Sequence, residues 1–215
     1  LLEPLEEIEI QVTPSCVVMG GGVVGMSAAL NLAEQGFEVH LVEKEKELGG
    51  TLRDVYKLFT TNEEASKLVG PLVQKVKNHP KIKTHLSTNV KDVSGFIGSF
   101  DVTLDHNGME EKVKVGTIIV AIGAEELKPV GQYGYGEMPN VLTQLELEEW
   151  MKKGESVGQN VVMINCVGAR VPERTYCSRF CCITAIKNAT LIKESNPTSK
   201  VFILHRDLMA YGVEF

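Results

Sequence analysis

Long hydrophobic runs are missing from this sequence. Its longest apolar stretches suit buried strands and fall far short of the ~20 residues needed to cross a bilayer, so no membrane span is expected. A basic block is missing too. The 215 residues carry a net charge of −6, which argues against nucleic acid or an anionic membrane as the main partner. No basic segment opens the chain, and residues 1–10 are acidic, so no secretory leader is read there. Evenly spread cysteines are also lacking. Cys16 stands alone and four others crowd between 166 and 182, unlike a secreted disulfide framework. The expected setting is a reducing cytoplasm. The first residue is not Met, and Phe215 stops inside what reads as a continuing segment, so a piece of a longer protein is expected.

What is present is an ordinary globular composition, 43% hydrophobic and 23% charged. The length suits one good core and part of a second domain. The organising stretch is 17–30. An apolar β-branched run enters a glycine turn, and small apolar residues leave it with helical spacing. Gly20, Gly22 and Gly25 form G-x-G-x-x-G, with Val23 and Val24 opening the helix. The first glycine allows a tight turn, the second lets a pyrophosphate approach the backbone, and the third lets helix and strand pack closely. The free N–H groups at the helix start then face the phosphates. Gly36 ends the helix, and 37–42 reads as a second strand. Glu43 follows, where a carboxylate accepts hydrogen bonds from a ribose 2′-OH and disfavours a 2′-phosphate. The alternative is a glycine turn that binds nothing, which leaves the position of Glu43 unexplained.

Six and seven residues beyond Glu43 stand Gly49 and Gly50, which permit close backbone approach to something large. A plain surface turn is the competing reading. Apolar residues from 62 to 78 repeat with helical period, with Thr61 or Asn62 as cap and Pro71 expected to kink or divide the helix. Short strands are expected at 82–86 and 90–93. Phe100, Val102 and Leu104, then Val113 and Val115, alternate with polar residues around His106-Asn107-Gly108, a hairpin within a β-meander. Residues 117–124 read as a buried strand ending in a small-residue turn. Residues 125–142 form a loop rich in Gly, Pro and Tyr, whose aromatics either pack the loop or cover a ligand. Thr143 and Glu146 form a capping box for a helix through Lys153, closed by Gly154, with Trp150 in a packing role.

Residues 161–165 read as the first strand of a second βαβ unit. No second G-x-G-x-x-G follows. Cys166 ends the strand instead, and a loop leads to Cys177-Ser178-Arg179-Phe180-Cys181-Cys182, a helix from 183 and a strand at 201–204. The spacing C-x10-C-x3-C-C is unlike zinc pairs of the C-x2-4-C type and unlike a C-x-x-C redox centre. Four thiolates suit a [4Fe–4S] cluster, and Cys181 and Cys182 at a helix start gain from its dipole. Arg170, Arg174 and Arg179 add positive charge nearby. A thiol–disulfide centre, zinc and buried structural cysteines are the other readings. Cys16 is expected to be a small buried hydrophobe.

Three features resemble known families. An acid followed by Gly-Gly is similar to the loop that lies along FAD in two-dinucleotide-domain flavoproteins, which places Lys44, Gly49, Gly50, Thr51, Leu52 and Arg53 near the cofactor. The strand ending Ala121-Ile122-Gly123 resembles the second flavin-domain signature, and Val90 falls on the strand that passes the adenine in such folds. The chain as a whole resembles the A-type, FAD-carrying subunits of the heterodisulfide reductase family. The match rests on residues 2–10, on the glycine motif with Glu43 and 48–50, on 135–141, and above all on 166–170 with 177–182. The resemblance implies an α/β protein: a Rossmann-like FAD-binding domain with a β-meander insertion (15–142) after a lead-in (1–14), and a partial second Rossmann-like βαβ unit (143–215). The lead-in is expected to dock through Ile8, Ile10 and Val12. The resemblance further implies a flavin-dependent oxidoreductase that passes electrons between FAD and a [4Fe–4S] cluster held by Cys166, Cys177, Cys181 and Cys182, and that works with other subunits of an electron-transfer complex. The ferredoxin-type cysteine runs of full-length family members, and their later return to the flavin domain, are not in this sequence. A pyridine-nucleotide-disulfide-reductase-like thiol centre and a non-catalytic docking domain are the alternatives.

Overall fold

The computed structural model describes residues 11–59 and 61–210, so the expected docking of Ile8 and Ile10 lies outside the described residues. Backbone contacts divide the chain into two compact units. One holds the described residues up to Arg53 with Ser66–Ala124; the other holds Asp54–Ala65 with the described residues from Glu125 onward. Against the expected boundary at 142/143, the long loop 125–142 and the short segment 54–65 both fall in the second unit.

The first unit is built on a parallel sheet. Strand β1 (Ser15–Met19) leads through α1 (Val23–Glu34) to β2 (Glu38–Val42), and the chain returns through α2 (Ala65–Asn78) to β3 (Ile82–His85). An antiparallel meander of β4 (Thr88–Phe96), β5 (Ser99–His106) and β6 (Met109–Val115) follows, and β7 (Thr117–Val120) rejoins the sheet in the order β3-β2-β1-β7. Alternation along β1 explains the layering, because successive side chains point to opposite faces. Cys16 and Val18 face a core with Met26, Ala29, Leu30 and Val76 from the helices. Val17 faces a second core with Val102, Leu104, Val113 and Val115 from the meander. The β5–β6 turn is a hairpin as expected, with Asn107 (φ 52°) and Gly108 (φ 88°) both left-handed, the backbone that a two-residue turn demands.

Three details differ from the sequence reading. Residues 117–124 are not a buried strand. Pairing stops at Val120: Ile118 and Ile119 pack on the two cores, while Val120 at the carboxyl end of β7 and Ile122 beyond it are 66% and 70% exposed. Helix α2 starts at Ala65, not 62; Asn62 instead takes φ 56° in a small loop where its N–H bonds Leu58 O. Pro71 lies inside α2 without dividing it. The ring removes one bond, to the carbonyl of Lys67, while Val69, Leu72, Val73 and Val76 keep the helix on its core.

The second unit holds α3 (Gln144–Lys152), β8 (Asn160–Ile164), α4 (Cys181–Ser195) and β9 (Lys200–Leu204), with β8 and β9 parallel. The capping box forms as read. Thr143 Oγ1 accepts from Glu146 N–H, Glu146 Oε2 accepts from Thr143 N–H, and Gly154 closes the helix at φ 75°. Leu147, Met163, Ala185 and Ile192 join the helices to the two strands. Within the described residues no helix is long and apolar enough to cross a membrane.

Candidate functional site

The sheet order sets where the first site can form. From β1 the chain crosses through α1 to β2 on one side, and the meander returns it to β7 on the other. Such a reversal leaves a crevice at the carboxyl ends of β1 and β7, where open α/β sheets bind their ligands. The glycine turn stands at that point. Gly20 has φ 107°, and a Cβ on it would lie 2.3 Å from Ala121 O, so the backbone after β7 passes directly against the turn. A Cβ on Gly25 would lie 1.8 Å from Gly20 O, which makes close helix–turn packing possible only for glycine there. A Cβ on Gly22 would meet nothing within 4 Å. That open side of the turn is the one a pyrophosphate needs.

Gly22 is the N-cap of α1 and has no side-chain cap. The N–H groups of Val23, Val24 and Gly25 open the helix and have no intrahelical acceptor. They are donors available to an anion, reinforced by the helix dipole. Val24 is exposed beside them. Glu43 lies at the end of β2 and is only 7% exposed. Its Oε2 accepts from Gly21 N–H at 2.6 Å and its Oε1 from Glu45 N–H at 2.9 Å. Each carboxylate oxygen keeps a lone pair for a further donor, so Glu43 braces the turn and retains acceptor capacity beside it.

Gly49 and Gly50 come to the same place. Gly49 N–H donates to Gly21 O at 2.8 Å, Gly22 and Gly49 form a bridge, and a Cβ on Gly50 would lie 3.0 Å from Gly22 Cα. The 3₁₀ turn Gly50–Arg53 follows. In it Thr51 is exposed, Leu52 half-buried, and Arg53 reaches back to Gly50 O and to Glu47 (3.3 Å). Lys44 is exposed next to Glu43. Thus Gly20, Gly22, Gly25, Glu43, Gly49, Gly50 and Ala121 are brought together. Gly123 continues past the edge with φ 68° and open space around it. Val90 lies on β4, whose first residue Thr88 donates its N–H to Glu43 O, and its side chain packs with the meander core at a β-bulge. The sequence reading passed over Gly21, whose Cβ would meet Leu48 at 2.5 Å and Glu43 at 2.9 Å. The signal was the run of three consecutive glycines, of which Gly21 is the middle one. These observations fit a bound dinucleotide: open space at Gly22, uncapped amides, and a buried acid beside them.

The second candidate site is the loop between β8 and α4. Cys166 is buried with φ 63°, and Arg170 and Arg179 are also left-handed, at 58° and 64°. Non-glycine residues hold this conformation only where the surroundings fix it. Here Arg170 pairs with Asp207 at 2.5 Å, Arg206 donates to Arg170 O, and Arg174 stacks on Tyr176 at 4.9 Å. Cys177 Sγ accepts from Arg179 N–H at 3.3 Å. Cys181 is the first residue of α4, and its thiol is pushed up by burial, with the charges of Cys182 and Cys166 adding to the rise and the Cys166 backbone opposing it. Burial is the largest of these causes. Cys182 turns inward, with Sγ 3.8 Å from Asn165 Nδ2 and 3.6 Å from Asp207 O. Among the described residues no three Cys, His, Asp or Glu side chains converge to hold a metal ion. The donor set has the chemistry of an iron–sulfur site, but as placed the thiols do not form one. Cys16 is buried in the first core with its pKa pushed up to about 11 by burial, the environment of an inert thiol.

Comparison with known proteins gives the same fold and a family. Residues 14–164 match the family model for pyridine nucleotide-disulphide oxidoreductases. The A-type iron–sulfur subunit of CoB–CoM heterodisulfide reductase from Methanocaldococcus jannaschii is 30% identical across 98% of this chain and 46% of that protein. A second such protein, from Methanopyrus kandleri, is 32% identical across 99% of this chain and 46% of its own length. The chain therefore spans about half the length of these relatives. Among solved structures, T. acidophilum thioredoxin reductase superposes with a TM-score of 0.56 at 18% identity, covering 88% of this chain and 55% of that one. L-proline dehydrogenase from P. horikoshii gives 0.53 at 21%, covering 93% and 37%. At those identities the two structures speak for the fold alone.

Proposed function

The chain belongs to the pyridine nucleotide-disulphide oxidoreductase family, and from that premise we propose that it is the FAD-binding module of an electron-transfer oxidoreductase similar to the A-type subunits of heterodisulfide reductase. The observation that carries this reading is the glycine turn at the β1/β7 crevice, open at Gly22, with uncapped amides on one side and Glu43 on the other. Gly49 and Gly50, held against that turn, favour FAD over a nicotinamide dinucleotide. Bound FAD supplies a centre that takes up and releases electrons singly or in pairs. The chain's own residues bind and orient it. The amides of Val23, Val24 and Gly25 hold the pyrophosphate, Glu43 accepts from the ribose hydroxyls, and the Gly49–Arg53 loop with Lys44 covers one side. Ala121 and Gly123 border the other, and Val90 contributes main chain near the adenine.

The finer part of the proposal is a [4Fe–4S] cluster on Cys166, Cys177, Cys181 and Cys182. Its support is the donor set, four cysteines with three arginines in one strand–loop–helix unit. Because the thiols do not converge as placed, no electron step is assigned to the cluster. Other subunits of an electron-transfer complex, in the cytoplasm, complete the proposal, by analogy with relatives named as reductase subunits.

Fluorescence titration with FAD tests the first part. The wild-type chain should bind FAD saturably, and Glu43→Ala should bind about tenfold more weakly, a loss of about 1.4 kcal/mol. Equal affinity for both proteins would remove Glu43 from the site, and no saturable binding by the wild type would refute the reading. Anaerobic reconstitution with iron and sulfide tests the second part. About four irons per chain are expected, with uptake reduced in each Cys→Ser variant. Flavin binding without iron uptake would leave a thiol–disulfide centre as the better account of the cysteines.

A further inference from the structure

A buried ion pair in the second unit has no part in the sites described above. Lys187 Nζ lies 2.6 Å from Glu148 Oε2, with side-chain exposures of 8% and 1%. Burying two charges is costly, and the cost is offset only where geometry and further hydrogen bonds are good. Both conditions hold. Glu148 Oε2 also accepts from Tyr56 N–H at 2.9 Å, and Lys187 Nζ also donates to Lys57 O at 2.9 Å. Asn188, fully buried beside them, donates to Gln144 Oε1 at 2.7 Å and more distantly to Glu148 Oε1. The pair thus grips two consecutive residues of main chain, one by N–H and the next by C=O.

What it grips matters because of where that segment comes from. Tyr56 is three residues beyond Arg53, the last residue of the 3₁₀ turn in the proposed FAD loop. The other end of this loop is fixed by Gly49 N–H on Gly21 O. A tight local fold holds the gripped segment in turn. Lys57 bridges Glu64, Leu58 N–H bonds Glu63 O, and Ala65 N–H bonds Tyr56 O. Lys187 and Asn188 lie on α4, the helix whose first turn carries Cys181 and Cys182. Fixing a flexible segment's end removes conformational freedom that ligand binding would otherwise have to remove.

We infer that Glu148 and Lys187 are positioning residues for the FAD loop. By holding Tyr56 and Lys57 they fix the chain where it leaves that loop, and they tie it to the helix that carries Cys181 and Cys182. The inference rests on the FAD reading above. It adds that FAD binding is felt at Cys181 through this grip, and that the coupling is reciprocal, as linkage requires.

The test uses the full chain with Glu148→Leu and Lys187→Met together, so that neither charge is left buried alone. Three readouts are compared with wild type under reducing, iron-free conditions: FAD affinity by fluorescence, amide hydrogen exchange over residues 50–57, and the alkylation rate of Cys181 with and without FAD. In the wild type, FAD should slow exchange at Tyr56 and change Cys181 alkylation several-fold. In the double variant FAD affinity should fall about tenfold, exchange over 50–57 should rise, and the effect of FAD on Cys181 should vanish. A double variant that binds FAD as wild type does, with the same effect on Cys181, overturns the inference. Should the variant not fold, the wild type still decides, because FAD binding that leaves both Tyr56 exchange and Cys181 alkylation unchanged overturns it as well. Failure of the wild type to bind FAD would instead refute the FAD reading itself.

Discussion

Two of the strand–loop–helix units, β1–α1 and β8–α4, solve the connection differently. Between β1 and α1 stand three glycines, and the turn is specified by backbone: Gly20 against Ala121, Gly25 against Gly20, Gly49 against Gly21. Between β8 and α4 lie sixteen residues, 165–180, and the loop is held partly by backbone bonds, such as Val171 with Arg174 and Arg170 N–H to Tyr176 O, and partly by side chains: Arg170 on Asp207, Arg206 on Arg170 O, Arg174 on Tyr176. A turn fixed by backbone contacts is complete before its ligand arrives. A longer loop held in part by exposed side chains has more freedom to rearrange around one. The first unit therefore shows a formed crevice, while the second gathers four cysteines in one region without converging them.

Four changes would sharpen or break this contrast. The largest effect is expected at Gly25→Ala. Its Cβ would meet Gly20 O at 1.8 Å, and backbone cannot yield as a side chain can, so a loss of about 3 kcal/mol is expected, with FAD binding abolished. Thermal unfolding and FAD titration check it; a variant that keeps both would mean the turn is not packed as described. Glu148→Leu alone should cost nearly as much, about 3 kcal/mol, because it leaves the buried Lys187 without its partner; denaturant unfolding measures it. Gly168→Ala in the cysteine loop should cost only about 1 kcal/mol for its left-handed φ of 65°. The atom its Cβ meets, Leu127 Cδ2 at 2.0 Å, is the end of a flexible side chain. Equal costs at Gly25 and Gly168 would erase the distinction between the two connections. Thr143→Ala should cost about 1 kcal/mol through loss of the α3 cap and should leave FAD affinity unchanged.

Acid should distinguish the units as well. His40 and His85 stack between β2 and β3, with His40 Nδ1 3.0 Å from His85 Nε2. Burial pushes both below the ordinary histidine value, and the His40 charge helps drive His85 down to about 4. Groups with depressed folded-state pKa bind more protons when unfolded, so stability rises with pH across that interval. The first unit should therefore lose stability as pH falls from about 6.5 toward about 4. His85→Phe should flatten that slope in pH-dependent unfolding, and an unchanged slope would contradict the assignment. In the second unit, burial raises the Glu146 carboxyl, but Thr143 N–H, Lys128 and Tyr135 outweigh it and hold it at about 2, so its contribution is lost only in stronger acid.

Much of the first unit was legible in the sequence because its constraints are local. The spacing of Gly20, Gly22, Gly25 and Glu43 locates the turn and the acid, and Asn107-Gly108 locates the hairpin. In the second unit, the capping box Thr143–Glu146 and the closing Gly154 likewise set both ends of α3. What depended on non-local pairing was not legible. The apolar run 117–124 reads as buried, yet the strand ends at Val120, and Val120 and Ile122 at its carboxyl end are exposed. Pro71 reads as a kink or a division; the helix is not divided, because tertiary burial of Val69 and Val76 outweighs one lost hydrogen bond. The grip of Glu148 and Lys187 on residues 56–57 spans about ninety residues or more of sequence, and no periodicity announces it. The cysteine spacing names a donor set but leaves the orientation of each thiol to the fold, and Cys182 turns inward.

The most direct measurement is an anaerobic visible absorption spectrum of the chain reconstituted with FAD and freed of unbound flavin. The account predicts retained flavin bands at about one FAD per chain in the wild type and their loss in Gly25→Ala. A wild-type chain that retains no flavin would contradict it.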